Sequence, residues 1–363
     1  MTTYKAIKGL TIQAVDTDPV VYTGAWSSGN NLNTGRNDLA GSGILTAGLA
    51  FGGNPATGAT EEYDGTSWSE DGDLNTSRRA LTGFGVLTAS IAAGGGENPY
   101  NDETEQYNGS TWSEISEINT ATGGQPGSCG TTTAGLVFGR RKTPGATKGG
   151  ETEEYDGSSW SETTDMNTAR FGIAGAGVQT SALAVNGTPG PGSMTNVESW
   201  NGSSWTEIAE LNNNNRHAMG ASGSVNTSIL AFGGEGPGGA VNFTEQWNGS
   251  AWTELGDLSG GAGKVASADV STTSTFSAGG DGPPGAAVAT TEEWTYPSAP
   301  AVQLGQAWFN TVSATLKGQA AQGTGAWASG GNLNTARYGA GTAGIQTAAF
   351  ATGGADATGV LAI

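Results

Sequence analysis

Carboxylates and arginines recur at fixed positions along this sequence, and such residues can serve either catalysis or scaffolding. Glutamate stands two residues before an aromatic residue at six places: Glu61, Glu105, Glu153, Glu198, Glu245 and Glu292. Within residues 20–297, arginine ends an Asn-Thr-x-Arg segment at three places and a looser copy at a fourth: Arg36, Arg78, Arg170 and Arg216. A buried carboxylate needs a partner. We therefore interpret these residues as a structural latch across repeat boundaries rather than as catalytic groups.

The scarcity of histidine and cysteine excludes several kinds of catalytic and metal site. It contains one histidine, His217, and one cysteine, Cys129. A single cysteine excludes an intrachain disulfide and a thiolate cluster, and a single histidine closes most routes to zinc or copper. No Ser–His–acid arrangement and no clustered arginine triad stands out, and no acidic segment carries a full set of calcium ligands. The sequence predicts a protein that is not an enzyme and has no cofactor and no metal site.

Composition narrows the class of protein further. The chain has 363 residues, 63 glycines, 11 tryptophans and a formal net charge of −19. Glycine at this level without a three-residue period favours a turn-rich fold. The negative charge argues against a nucleic-acid partner, which would require a concentrated basic face. Apolar runs are too short to cross a membrane, and the N-terminus lacks the apolar core of a signal peptide.

The strands and turns that position these residues are predicted from one repeated segment. The segment EEYDGTSWSE (61–70) recurs in variant form at 104–114, 153–162, 198–207 and 244–254. Its Asp-Gly or Asn-Gly pair predicts a β-hairpin with a two-residue type I′ turn. In that register Tyr63 pairs with Thr66, Glu61 pairs with Trp68, and Tyr63 and Trp68 share one face. A lone hairpin is not stable in water, so these aromatic faces must stack against their neighbours.

Each repeat contains four short strands, a to d. Strand b ends at a Gly-Gly doublet, strand c ends at the Tyr or Trp, and strand d carries the Trp; a link with the Asn-Thr-x-Arg segment follows. Four-stranded units that recur every 42 to 48 residues predict the blades of a β-propeller. Over residues 20–297 the order of these marks resembles the kelch repeat. Phe138-Gly139-Arg140, Asn186-Gly187 and Gly263-Lys264 depart from that pattern, so blades 3, 4 and 6 are expected to be less regular.

The fold class predicted is therefore all-β, a six-bladed kelch-like propeller closed by an N-terminal outer strand. The sixth unit reaches Trp294 but has no strand d, whereas the segment around Trp26 is a strand d without strands a to c before it. We expect Trp26 to complete the sheet that ends at Trp294, which also removes an exposed sheet edge.

The remaining segments form separate regions. Residues 1–19 read as a strand that docks on the edge of a partner sheet or packs on its own propeller. Residues 298–324 read as a linker with a short hairpin. Residues 325–354 match 24–53 at 17 of 30 positions, so 325–363 is a partial propeller repeat. It either begins a second propeller or is completed by another chain.

Strand order places the b–c loops and the d–a links on one face of the ring. Variable loops on a rigid scaffold are the usual place for binding. From these loops we select five contact residues: Tyr100, Asn101, Arg140, Arg141 and Lys142. The alternative is that the loops are solvated spacers.

The repeat phrases, poor in Lys and His and rich in Gly, Thr, Ser and Asn, resemble propellers in virion proteins of marine tailed bacteriophages, including those of cyanobacteria. The resemblance implies a multi-copy virion structural protein, a fibre, spike or decoration, with other virion proteins as partners. The leading hypothesis is adhesion, with a host-surface glycan as the ligand, and assembly in the host cytoplasm. A cellular kelch-type protein-interaction module is the alternative, and a glycan hydrolase with an unrecognised site is a third.

Overall fold

The structure is a computed structural model, in which the described residues form strands and turns. The described residues are 13–15, 24–96, 99–142, 147–188, 196–213, 217–268, 270–283, 285–296, 307–310, 315–318, 341–345 and 348–352. They fall into two units, 23–297 and the terminal segments 1–22 with 298–363. No helix occurs among these residues, which confirms the all-β class.

Residues 23–297 form six four-stranded antiparallel sheets, the blades of a β-propeller. In chain order, strands a to d are Ala40–Ile44, Ala47–Phe51, Thr60–Tyr63 and Trp68–Asp71 in blade 1; Thr82–Val86, Ala89–Ala93, Thr104–Tyr107 and Trp112–Glu114 in blade 2; and Gly127–Thr131, Ala134–Lys142, Thr147–Tyr155 and Trp160–Glu162 in blade 3. They are Ala174–Val178, Ser181–Val185, Val197–Trp200 and Trp205–Ile208 in blade 4, and Gly220–Val225, Ser228–Phe232, Thr244–Trp247 and Trp252–Glu254 in blade 5. Strands a of neighbouring blades contact each other around the axis.

Blade 6 is closed by the N-terminal strand, as predicted. Its strands are Ala266–Ser267, Ser274–Ala278, Thr291–Thr295 and, from the start of the propeller, Ala25–Ser28. Trp26 lies directly opposite Trp294 in this antiparallel pair. Because the pairing joins the two ends of residues 23–297, no blade of the ring lacks its outer strand.

The core consists of six apolar clusters, one between each pair of neighbouring blades. The tryptophan of strand d also donates its indole N–H to the preceding blade: Trp68 to Thr291 at 3.0 Å, and Trp112 to Thr60 at 3.0 Å. Tyr107 donates its hydroxyl to Glu62 of the preceding blade at 2.8 Å, and burial raises the pKa of Tyr107 above its ordinary value. These bonds explain why the hairpin residues recur together, since each aromatic residue needs its neighbouring blade.

The hairpin register differs from the sequence prediction. Tyr63 lies opposite Trp68, not opposite Thr66, and the loop between the strands spans residues 64–67. The Asp64 carboxylate accepts hydrogen bonds from the backbone N–H groups of Thr66 and Ser67, each at 2.7 Å. This Asx turn replaces the two-residue turn, because the side chain supplies the acceptor that closes a longer loop. The shared aromatic face is retained, and the Tyr63 and Trp68 rings stack with centroids 4.7 Å apart.

We predict that Asp156→Asn removes a pH-dependent part of the stability. Asp156 accepts backbone hydrogen bonds from Ser159 and Ser158, each at 2.8 Å, and these bonds lower its pKa from 3.8 to about 2. A carboxylate with a lowered folded-state pKa stabilises above its unfolded pKa and loses that contribution as the pH falls. The difference in unfolding free energy between wild type and variant should therefore shrink between pH 4 and about pH 2.

Chemical denaturation at several pH values measures this difference. Asparagine is a fair replacement because the chain already uses it at the same turn position, at Asn108, Asn201 and Asn248. A difference that stays constant down to pH 2 would contradict the assignment.

The blades expected to be irregular differ from one another. Blade 4 is regular, since Asn186 takes the left-handed conformation of the first glycine of the doublet, with φ of 52°. Asparagine tolerates that conformation better than most residues. Blade 3 has a bulge between Phe138 and Arg140, after which strands b and c continue as a hairpin that reaches Lys142. We call this extension, residues 140–151, the blade 3 arm. In blade 6, strand a has only two residues.

The terminal unit contains two small sheets. Gln13–Val15 pairs in parallel with Ala307–Asn310, which forms a hairpin with Thr315–Gly318. Gly341–Ile345 and Ala348–Thr352 form a second hairpin, in the register of strands a and b of blade 1. The rest of the predicted docking segment, of the linker and of the partial repeat lies outside the described residues.

Candidate functional site: the link face

The link face is the surface of the propeller that carries the d–a links and the b–c connections. Its links are held by the predicted latch in blades 1, 2 and 4. Arg36 contacts Glu61, Arg78 contacts Glu105 at 2.9 Å, and Arg170 contacts Glu198, all with buried side chains. Each arginine lies in the link that leads into the blade of its glutamate. The pair therefore joins the link between two blades to the blade that follows it.

The same carboxylates also hold the beginning of each link. The backbone N–H of an asparagine donates to the glutamate in five blades: Asn33 to Glu61 at 2.7 Å, Asn75 to Glu105 at 2.7 Å, Asn119 to Glu153 at 2.8 Å, Asn167 to Glu198 at 2.7 Å and Asn212 to Glu245 at 2.7 Å. A buried carboxylate that accepts several such bonds fixes the backbone around it. The links are therefore held rigidly at the point where each begins.

Arg140 is a latch residue, and its assignment as a surface contact is wrong. The link into blade 3 has no arginine, and Arg140 reaches the same place from strand b. Its side chain is fully buried, contacts Glu153 at 2.8 Å and donates to the carbonyl of Thr120 at 3.0 Å. Arg170 makes the equivalent bond to Thr168 in blade 4 at 3.0 Å. The guanidinium is thus retained in blade 3 although its position in the sequence has changed.

The latch differs in the last two blades. In blade 5, Glu245 accepts from the backbone of Asn212 and Asn213, and Arg216 lies outside the described residues. In blade 6, Glu292 is half-buried and accepts from the backbone N–H of Ser259 at 2.8 Å. Among the described residues no arginine contacts Glu292, so this blade has a weaker form of the latch.

A ring of residues in the left-handed conformation surrounds the axis at the link face. The residue two positions before strand a has a φ between 51° and 65° in every blade: Asp38, Ala80, Gln125, Gly172, Ala218 and Lys264. Backbone hydrogen bonds run from blade to blade through this ring, for example from Ala80 to Asp38 at 2.8 Å. The Gln125 amide reaches over blade 2 to Asp38 at 3.0 Å. Below it lies a cavity of about 80 Å³ lined mainly by small and apolar residues. This cavity is much smaller than the roughly 300–1,000 Å³ of typical ligand pockets, so the face is the better candidate for binding.

A charged network lies on the face at blades 5, 6 and 1. Lys264 contacts Asp281 at 2.8 Å and Glu235 at 3.2 Å, and Glu235 lies 3.3 Å from the His217 ring nitrogen. The hydrogen bond from His217, together with Lys264, lowers the pKa of Glu235 to about 2. Burial alone would lower the pKa of Lys264, but the bond to Asp281 and the nearby Asp38 raise it above its ordinary value. Glu235 and Lys264 thus stay ionised near neutral pH and neutralise each other.

A second cluster lies at blades 2, 3 and 4, and we call it the aromatic–arginine patch (Tyr100, Gly123, Gly124, Arg141 and Phe171). The Arg141 guanidinium lies over the Phe171 ring, 5.2 Å from its centroid. The Tyr100 ring lies against Gly123, where a side chain would overlap it. At Gly124, which has a φ of +75°, a Cβ atom would lie 2.8 Å from Cβ of Arg141. The two glycines therefore allow the aromatic rings and the arginine to lie flat against the link.

The structure places Tyr100 and Arg141, both half-buried, at the adjacent glycines Gly123 and Gly124 of one link. Asn101 is half-buried and its backbone pairs with Thr122 of the link. Lys142 forms an ion pair with Glu151 on the blade 3 arm. Sequence reasoning missed Phe171, whose only signal is its place directly after the latch residue Arg170.

Positive charge is confined to the link face within the described part of the propeller. Every lysine and arginine there lies in a link or on the blade 3 arm: Arg36, Arg78, Arg79, Arg140, Arg141, Lys142, Lys148, Arg170 and Lys264. The outer strands instead expose glutamates at Glu70, Glu114, Glu162, Glu207 and Glu254. Arg36, Arg78, Arg140 and Arg170 are buried in the latch, so the cations nearer the surface of this face are Arg79, Arg141, Lys142, Lys148 and Lys264.

None of the described residues belongs to a helix that could span a membrane, and no three of their His, Cys, Asp or Glu side chains come together where they could hold a metal ion.

Comparison with known proteins supports the fold. No protein-family model matches the chain, and no curated protein matches it. The solved structure of YjhT superimposes with a TM-score of 0.62 at 16% identity, over 75% of this chain and 98% of that one. A likeness at this identity concerns the six-bladed propeller alone.

Proposed function

We propose that this protein is a non-enzymatic component of a bacteriophage virion that attaches to a host-surface glycan through the link face of its propeller. The observation that carries the binding role is the confinement of basic side chains to a face whose links are fixed by buried carboxylates. A rigid scaffold with variable connections is the usual design of a binding surface. The virion role is supported by the resemblance of the repeat phrases.

The blade 3 arm is the part of this face on which the binding proposal can be tested. Its strands b and c stay paired as far as Lys142 and Thr147, beyond the last paired residues of the same strands in blades 1 and 2, and it carries Arg141 and Lys148 on one face of the ribbon. Arg140 and Gly149 are opposite each other in its register, so residues 141–148 can be replaced by an Asn-Gly turn without loss of the buried latch. This variant keeps Arg140, Glu151 and Glu153.

We expect the intact protein to bind host cells and selected glycans, and the variant with the shortened arm to lose at least about tenfold in affinity, since charged hydrogen bonds contribute about 1.5–3 kcal/mol each. A glycan array and a whole-cell binding assay measure both. Asn201→Asp, a change in a c–d turn on the opposite face, is the matched control and should bind as the wild type does.

Three outcomes would contradict the proposal. Binding that survives removal of the arm would place the ligand elsewhere. Turnover of the bound glycan, found by analysis of the recovered sugar, would make the protein an enzyme. The third outcome is that the protein retains a cellular partner protein but binds neither cells nor glycans, and that antibodies to the propeller give no signal on purified phage particles. This outcome would favour an interaction module of the cell.

A further inference from the structure

Two cations on the blade 3 arm lie directly opposite each other. Arg141 on strand b pairs in register with Lys148 on strand c, so their side chains project from the same face of the ribbon. Like charges in directly opposite positions destabilise a sheet. A stable fold therefore gains nothing from this pair, and a charge of the other sign is needed to make it favourable.

That charge is not supplied by the described part of the chain. The other face of the arm is neutralised, because Glu151 contacts Lys142 and lies 3.6 Å from Nε of Arg140. For Arg141 and Lys148, in contrast, no carboxylate of a described residue lies within ion-pair distance. The Nε atom of Arg141 is buried without a hydrogen-bond partner. The two faces of one short ribbon thus differ in charge compensation.

Arg141 is nevertheless held in place. Its backbone N–H donates to the carbonyl of Gly123 at 2.9 Å, and its guanidinium lies over Phe171. An aromatic ring orients a guanidinium without using its hydrogen-bond donors, so these remain available to a planar anion. Tyr100 extends the surface on the other side of the two glycines.

We propose that Arg141 and Lys148 form the anion-recognising part of the glycan site, and that the ligand is an acidic saccharide whose carboxylate or sulfate group lies between them. This inference rests on the proposed glycan binding and names its ligand class. The guanidinium matches a carboxylate or sulfate with two parallel hydrogen bonds, and the ammonium adds a second charge. The aromatic rings of the patch face the remainder of the saccharide.

The test compares three oligosaccharides by titration calorimetry with the full chain: an oligogalacturonate, a sulfated galactan and an uncharged galactan. We expect at least one of the acidic ligands to bind, weakening as salt is raised, and the uncharged ligand to bind at least about tenfold more weakly. The carboxylated and the sulfated ligand show which of the two anionic groups the site binds.

Three variants assign the effect to residues. Arg141→Gln and Lys148→Gln should each lower the affinity for the acidic ligand about tenfold or more and reduce its salt dependence. Lys142→Gln, on the neutralised face of the same arm, should bind within about twofold of wild type, which is the scatter expected where no ligand contact is lost. The melting temperature of the Lys148 variant should be unchanged or higher, because a repulsive pair is removed, whereas Arg141→Gln also loses the contact with Phe171.

The outcomes separate this inference from the proposed function. Cell and glycan binding that depends on the arm but prefers uncharged saccharides would overturn the inference and leave the function standing. An equal loss of affinity for the acidic ligand in Arg141→Gln, Lys148→Gln and Lys142→Gln would also overturn the inference. Arg141-dependent binding of single-stranded DNA in preference to every saccharide would replace both, and an absence of cell and glycan binding would overturn both.

Discussion

Glu198→Ala is expected to lower the free energy of unfolding by about 3–5 kcal/mol, because it leaves the buried Arg170 without its counter-charge. Both side chains are buried. The carboxylate also accepts from the backbone N–H of Asn167 at 2.7 Å and from its side-chain amide at 2.9 Å. Burial lowers the pKa of Arg170, which shows that its charge is costly in this place without a partner. The substitution therefore removes several hydrogen bonds and also leaves the charge of Arg170 buried without its partner.

Glu292→Ala provides the matched control in blade 6. It occupies the same position in its blade, but it is half-buried and its described partner is the backbone of Ser259. Its loss should be about 1 kcal/mol, the value of an ordinary hydrogen bond. Chemical denaturation of the two variants, followed by tryptophan fluorescence, measures both. Similar losses at the two sites would show that the buried arginine contributes little.

A second substitution tests whether the pair acts through charge. Glu198→Leu combined with Arg170→Met removes both charges and keeps apolar volume. Replacing a buried ion pair in this way is often close to neutral for stability. The double variant should therefore be more stable than Glu198→Ala, although it carries two changes. If it is the less stable of the two, the hydrogen bonds of Arg170 to the carbonyls of Asn186 and Thr168 stabilise the link more than its unpaired charge destabilises it.

The latch shows how far repeated residues can be read from the sequence. The pairs of blades 1, 2 and 4 were predictable, because glutamate and arginine recur at fixed distances from the tryptophan. Arg140 was predicted as a contact residue and not as a member of the latch, since it stands in a connection whose length and sequence vary. One signal was available: blade 3 has Glu153 but no arginine in its link, and a buried carboxylate requires a partner from elsewhere.

Two other features depend on a choice between backbone conformations that the residue pattern alone does not determine. An Asp-Gly pair fits both a two-residue turn and a longer Asx turn, and the carboxylate of Asp64 decides between them by accepting two backbone N–H groups. The ring around the axis places Asp38 and Lys264 in the left-handed conformation that usually selects glycine. There the hydrogen bonds between blades fix the backbone, so residue type is a poor guide.

The aromatic–arginine patch could be predicted only in part. Tyr100 and Arg141 were selected because they lie in b–c connections, and ring geometry places those connections on one face. Phe171 belongs to the link into blade 4, and its contact with Arg141 arises where that link crosses the blade 3 arm. Contacts between segments of different blades depend on the twist and packing of the whole ring. These are set by the cores between blades and not by local sequence.

Trp26→Ala should lower the free energy of unfolding by about 3 kcal/mol and open the ring at blade 6. The indole packs on Phe232 and Trp294, with ring centroids 4.8 and 5.4 Å away, and donates to Thr244 at 2.9 Å. Truncation of a packed tryptophan costs about 3–5 kcal/mol, and Trp26 is only half-buried, which favours the lower end of that range. The strand Ala25–Ser28 has no covalent turn to the sheet that it completes, so it should separate first.

Hydrogen exchange distinguishes this opening from general destabilisation. In Trp26→Ala the amides of Ala25–Ser28 and Thr291–Thr295 should exchange faster than those of the other outer strands. Trp112→Ala is the matched control: the same indole position in blade 2, where a hairpin loop joins strands c and d. It should destabilise at least as much, since Trp112 is buried, but without selective exchange at blade 6.

A disulfide across the closure provides the converse test. Ala25 and Thr295 are opposite each other and exposed, so Ala25→Cys with Thr295→Cys joins the closing strand to strand c with little loss of native contacts. A cross-link that closes so long a loop should stabilise by up to about 5 kcal/mol, provided that its geometry is unstrained. The oxidised form should suppress the fast exchange caused by Trp26→Ala, and the reduced form should not. If oxidation stabilises the protein but exchange at Thr291–Thr295 stays fast, the weak point of the ring lies within blade 6 and not at its closing strand.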